Sequence, residues 1–106
     1  MFKIYIDPEV QKFILNLEPV TKAKIARNLD LLENFGYKLE MPHSKKISDT
    51  LFELRIRGQQ EIRIFYCFHN EVIKLLHGFT KKSQKIPLKE LRAAENKYKA
   101  LTQYNL

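Results

Sequence analysis

The sequence predicts an α+β domain in which an N-terminal strand and a helical hairpin precede an antiparallel sheet and a C-terminal helix. Three observations carry this expectation: two successive segments with apolar residues at helical spacing, three segments with two-residue alternation, and a last helical segment opened by Pro87. The chain has 106 residues, 44% of them hydrophobic, with seven Phe and five Tyr. That is enough for one core, so residues 1–106 are read as a single domain.

Phe2 to Ile6 reads as a short strand closed by Asp7 and Pro8, an N-cap followed by a proline suited to the first helical position. Val10, Phe13, Ile14 and Leu17 then repeat at helical spacing until Pro19 interrupts them. A second helix is predicted from Pro19 to Phe35, with Ile25, Leu29 and Leu32 on one stripe and Gly36 as its C-terminal stop. Residues 37–50 have no period and contain Pro42, Ser44, Ser48 and Asp49, the marks of an exposed connecting segment.

From Leu51 the period becomes two. Phe52, Leu54 and Ile56 share one face of a strand, and Glu53, Arg55 and Arg57 share the other. After a turn at Gly58 to Gln60, Ile62, Ile64, Tyr66 and Phe68 oppose Glu61, Arg63, Phe65 and Cys67. His69 and Asn70 form the next turn. Val72 to Phe79 is apolar on both faces apart from Lys74 and His77, as expected of a strand covered on both sides. Beyond it lie Lys81, Lys82 and Lys85, and then a helix with Leu88, Leu91, Ala94, Tyr98 and Leu101 on one stripe. Gln103 to Leu106 either continue that helix or form an untied end.

Nineteen Lys and Arg against twelve Asp and Glu leave a formal charge of +7, a field that attracts polyanions, although lysine-rich faces also simply keep a surface solvated. The single cysteine, Cys67, excludes a disulfide framework and a Cys-rich metal site and fits a reducing cytoplasm. The start, MFKIYIDPEV, has no signal-peptide core, and no apolar run approaches the roughly 18 residues of a membrane span, so no membrane association is expected.

Where the charge falls matters more than its total. Arg55 and Arg57 on one strand and Arg63 on its neighbour converge on one sheet face, where a phosphodiester would relieve their repulsion through paired guanidinium hydrogen bonds. Glu53 and Glu61 share that face, so cross-strand salt bridges are the competing reading. Lys81 and Lys82 on one side, and Lys45 and Lys46 on the other, could extend the positive surface along an RNA backbone. Phe65 is placed on the arginine face, where it could stack on a base, and Tyr66 on the helix side. His43 and His77 are the histidines considered as proton carriers; by simple parity His77 sits with Ile73, Leu75 and Phe79 on the core face. No metal-ligand cluster, glycine-rich phosphate loop or nucleophile motif is present, so a metal-free site without a cofactor is expected.

The segments LFELRIR, EIRIFYCF and VIKLLHGFTKKSQKIPLKEL, spanning Leu51 to Leu91, resemble the HigB-like branch of the RelE/ParE toxin superfamily. The resemblance implies a RelE-like fold and a toxin that cleaves mRNA in the ribosomal A site, restrained by a helix-turn-helix antitoxin. It carries Arg55, Arg57 and Arg63 over as phosphate and transition-state contacts, Lys81 or Lys82 as auxiliary cations, and His77, Glu53 or His43 as the open choice of base. Two departures stand out: Ile86 replaces a helix-capping Thr, and no obvious proton-transfer pair is present. A gyrase poison of the ParE type and a non-catalytic RNA-binding module are the alternatives.

Overall fold

Strand β1 (Lys3–Ile6) ends at Asp7, whose Oδ2 accepts a hydrogen bond from the Glu9 amide at 3.0 Å and so caps helix α1 (Pro8–Leu15). Helix α2 (Pro19–Phe35) begins on its proline and stops at Gly36, which adopts φ +51° and lies against the Phe2 ring, leaving no room for a Cβ. A single 3-10 turn (Gly36–Lys38) follows. Then come strands β2 (Ser44–Lys46), β3 (Phe52–Ile56), β4 (Ile62–His69) and β5 (Val72–Thr80), and helix α3 (Leu88–Gln103). This computed structural model describes residues 1–103; of the C-terminal segment read as helix or untied end, Gln103 is the last residue of α3 and 104–106 lie outside the described residues.

The five strands form one sheet in the order β1-β5-β4-β3-β2. All pairings are antiparallel except β1 with β5, which is parallel, and the α1–α2 hairpin carries the chain from β1 to β2 at the opposite edge of the sheet. The segment read as a connecting loop is therefore partly sheet. Ser44 pairs with Leu54, and its hydroxyl shares a buried 2.6 Å hydrogen bond with the Tyr66 hydroxyl, while Tyr37 stacks on Phe68 at 3.9 Å between ring centroids. A three-residue edge strand reading Ser-Lys-Lys has no apolar alternation to betray it. The turn expected at His69 and Asn70 lies one residue later, at Asn70 and Glu71, both with positive φ.

The sheet is covered on both faces. On one, Leu54, Ile56, Ile62, Ile64, Tyr66, Ile73 and Leu75 pack against Val10 and Leu17 near α1 and Ile25 and Leu32 of α2. Gly78 lets α1 approach closely, since a Cβ there would meet the Phe13 ring at 2.8 Å. On the other face Phe65, Cys67, Leu76 and Phe79 pack under Ala94, Leu91 and Tyr98 of α3. Lys97 of α3 reaches across to Asp7 and Glu9 at 2.9 and 2.8 Å. Burial alone would lower the Lys97 pKa, but the hydrogen bonds it donates to these two carboxylates outweigh it and hold the group above the ordinary lysine value.

Register corrects one placement. Opposite Phe65 and Tyr66 the pairing slips, because Phe65 faces His77 and Tyr66 faces Leu75, leaving Leu76 as an extra residue on β5. The bulge reverses the parity of everything after it. His77 therefore lies beside Phe65 on the α3 face and not with Ile73 and Leu75 on the hairpin face, as strict alternation predicts.

Candidate nucleic-acid interface

Helix α3 covers only part of its sheet face. At the end it leaves open, the strands bring their charged residues into adjacent rows. Arg55 stands directly opposite Arg63, and Glu53 opposite Phe65. Beyond the Arg55–Arg63 row, the Lys81 amide donates to the Glu61 carbonyl at 2.7 Å, which carries the chain after β5 back along the mouth of the cleft. The result is a cleft of about 430 Å³ lined by Arg55, Arg57, Glu61, Arg63, Lys81 and Lys82, with Ser83 and Gln84 on the far wall.

Two arginines facing each other across a ladder repel, and Glu53 lies beneath them to offset the repulsion. Its carboxylate sits 3.7 Å from Arg55 Nε and 3.8 Å from Arg63 Nε. These are Coulombic contacts without hydrogen bonds: Glu53 Oε2, Arg55 Nε and Arg63 Nε are buried and lack hydrogen-bond partners. Glu61 adds a second carboxylate, accepting from Arg63 Nη1 at 3.2 Å. The salt-bridge reading and the converging-cation reading thus both describe this face. Five cations meet two carboxylates, so the cleft keeps a positive excess.

The three arginines differ in access. Arg63 is only 2% exposed and forms the base of the cleft, whereas Arg57 is exposed and the Arg55 side chain keeps 14% of its surface in solvent. Arg55 and Arg57 can touch a guest; Arg63 can act on it mainly through its field. Lys81 and Lys82 line the cleft as well.

The remaining candidates lie elsewhere. Lys45 pairs opposite Glu53 and Lys46 opposite Phe52, so they point to opposite faces of the edge strand and neither lines the cleft. His77 Nε2 contacts Glu90 of α3 at 2.8 Å and is also outside the lining. Phe65 is on the predicted face but fully buried beneath α3, and Tyr66 is on the hairpin side as expected. Burial raises the Tyr66 pKa, only partly opposed by its bond to Ser44, and pushes the Cys67 thiol up to about 11, so Cys67 is an inert core group. His43 lines a separate pocket beside Arg55. Glu61, which the sequence predicts only as a salt-bridge partner, is the one carboxylate in the cleft lining; alternation puts it on the arginine face, and only the fold opens it onto the cleft.

Among the described residues no His, Cys, Asp and Glu group could hold a metal ion, and no helix is long and apolar enough to cross a membrane.

Fold and cleft together define a class: a small α+β protein whose sheet, buried on both faces, opens at one end into a cation-rich cleft. Residues 12–99 match the phage-derived Gp49-like protein family (DUF891), and the chain belongs to that family. Among solved structures it is similar to the E. coli toxin RelE, in the free state of a variant with two arginines changed to alanine, with a TM-score of 0.64 at 10% identity over 86% of this chain and 95% of that one. Family and fold place the chain in the RelE/ParE superfamily. No curated protein matches it by sequence.

Proposed function

We propose that this protein is the toxin of a type II toxin–antitoxin pair, of the HigB-like branch, and that it cleaves mRNA on the ribosome in the cytoplasm without a metal or other cofactor. The observation that carries the reading is the cleft, where accessible Arg55 and Arg57 stand beside Lys81 and Lys82 above the buried Arg63. This is a built cationic concavity with the chemistry of a phosphodiester site.

Cleavage by this route begins with in-line attack of a ribose 2′-oxygen on the neighbouring phosphorus. The new O–P bond forms as the bond to the 5′-oxygen of the next nucleotide breaks, giving a cyclic phosphate and a free 5′-hydroxyl. Arg55 and Arg57 neutralise the charge that builds on the phosphorane oxygens. Lys81 and Lys82 hold the flanking backbone and supply a proton donor near the leaving oxygen. For the proton leaving the 2′-hydroxyl, Glu61 is the best-placed acceptor, because it lines the cleft. Glu53 lies buried under the arginines and acts by positioning them, and His77 is held by Glu90. The ribosome presents the mRNA in a fixed geometry, which lowers the demand on the base. A small helix-turn-helix antitoxin, whose acidic groups would neutralise the cleft, is the expected partner.

The test is inducible expression in a bacterium with mapping of mRNA 5′ ends, comparing the wild type with the Arg55→Ala, Arg57→Ala double variant. Growth arrest with new ends inside translated frames, both lost in the variant, is the expected result. Arrest without new ends sinks the nuclease and makes gyrase the next target to assay; RNA binding without cuts or arrest leaves a non-catalytic module.

A further inference from the structure

Arg55 and Arg57 are shared by a second concavity on the opposite side of strand β3. Strand β2 begins at Ser44, and just before it the Arg55 amide donates to the His43 carbonyl at 2.8 Å, the last contact between the two segments. Beyond that point the edge of β3 has no strand partner. Helix α2 covers the gap: Asn28 donates to the Arg55 carbonyl at 3.4 Å and Lys24 to the Arg57 carbonyl at 3.1 Å, so the orphaned carbonyls are satisfied by side chains. The helix stands off the strand far enough to leave a pocket of about 250 Å³, floored by Ile56 and closed by Pro42.

Its chemistry differs from that of the cleft. No carboxylate lines it, whereas Lys24, Arg27, Arg55 and Arg57 all do. None of Lys24, Arg27 and Arg57 has an ion-pair partner among the described residues. The wall is mainly apolar, with the Asn28 amide and the His43 ring as polar points. A bare phosphate site needs no apolar floor, and an aliphatic ligand site needs no ring of cations. A nucleotide needs both: a flat face to lay a base on, a few donors and acceptors for its edge, and cations for its phosphate.

We infer that the pocket between α2 and Pro42 is a second nucleotide subsite, which holds the RNA nucleotide adjacent to the linkage bound in the cleft. This rests on the proposed function and adds where the neighbouring base goes. Arg55 and Arg57 form the partition between the two concavities, so one RNA strand crossing them places a phosphate on each side. Arg27 and Lys24 take the outer phosphate, the base lies over Ile56, and Asn28 and His43 read its edge. Sequence preference at that position would then originate in α2 and the turn before β2.

The experiment is an NMR titration of the full chain with pentauridylate made uncleavable by 2′-O-methylation. The Asn28 side-chain amide and Ile56 methyl signals report the pocket, and the Lys81 backbone amide reports the cleft. Both sets are expected to move with one dissociation constant. Arg27→Glu should weaken binding about tenfold, equivalent to about 1.4 kcal/mol, and more than the control Lys89→Glu on exposed α3 surface. Movement at Lys81 with Asn28 and Ile56 unmoved overturns the inference and leaves the RNA reading standing. If neither set moves, both fall. Equal losses from Arg27→Glu and Lys89→Glu reduce the pocket to bulk charge, and tighter pocket binding by tetra-aspartate than by the RNA reassigns it to an acidic polypeptide; either result overturns the inference.

Discussion

The two faces of the sheet are built from the same alternating strands but close in different ways. Under α1 and α2 the face is apolar apart from the buried Ser44–Tyr66 hydroxyl pair at the β2 edge, and Leu32, Leu54, Ile62, Ile64, Ile73 and Leu75 are all inaccessible to solvent. Under α3 the apolar cluster is smaller, and where the helix stops the face continues as Glu53, Arg55, Arg63 and Glu61. One face therefore carries stability, and the other divides itself between stability and charge. Burying Glu53 and Arg63 at 3% and 2% exposure is costly unless each compensates the other, so the charged end is held together by balance and not by packing.

The comparison can be broken most severely at Arg63. Arg63→Ala strips the buried Glu53 of its fully buried partner and should cost about 3–5 kcal/mol in urea unfolding. The double variant Glu53→Leu, Arg63→Leu should regain most of that without regaining any cleavage. A single variant within about 1 kcal/mol of wild type would mean that the pair behaves as a surface ion pair.

On the apolar face Leu32→Ala should cost about 2–5 kcal/mol through the cavity it leaves. Its RNA affinity and salt dependence, measured below the melting range, should match the wild type, because Leu32 is buried in the hairpin core and not in the cleft. A matching loss of binding would mean that the hairpin face also shapes the cleft.

The exposed Arg57 gives the converse. Arg57→Ala should leave unfolding within about 0.5 kcal/mol of wild type, while the slope of log affinity against log salt for single-stranded RNA falls by about 0.7. An unchanged slope would remove Arg57 from the interface.

The smallest effect concerns pH. Folding pushes the Cys67 thiol up to about 11 through burial, with Lys74 opposing only partly. A group whose folded pKa is raised contributes stability that is intact below its unfolded value and is lost as the pH climbs to the folded one. Unfolding midpoints should therefore decline between roughly pH 8.5 and about 11. In Cys67→Ala that decline should be shallower, the rest coming from Tyr66, which burial shifts the same way. Equal slopes for the two proteins would mean that the thiol is hydrated in the folded state.

Local chemistry made much of this legible from residues alone. Asp7 with Pro8 marks the start of α1, and Pro19 and Gly36 bracket α2 to the residue. The alternation in Phe52 to Ile56 and Ile62 to Phe68 puts Arg55, Arg57 and Arg63 on one face, with Phe65 beside them and Tyr66 opposite. Strand β2 escaped because its three residues carry no pattern, and His77 was misplaced because a bulge at Leu76 leaves no trace in a two-residue period.

The sequence by itself determined which residues are helical, which alternate, and that three arginines share a side with Glu53 and Glu61, because each of these depends on neighbours a few positions away. Only the tertiary structure decided how far α3 extends over that side. That extent buries Phe65, leaves Arg55 and Arg57 within reach above Arg63, and makes Glu53 a support and Glu61 a lining residue. It also decided where the β2 pairing stops and α2 begins to cover the edge, and with it the second pocket. Coverage and register are set by contacts between segments distant in the chain, and a local period carries no information about them.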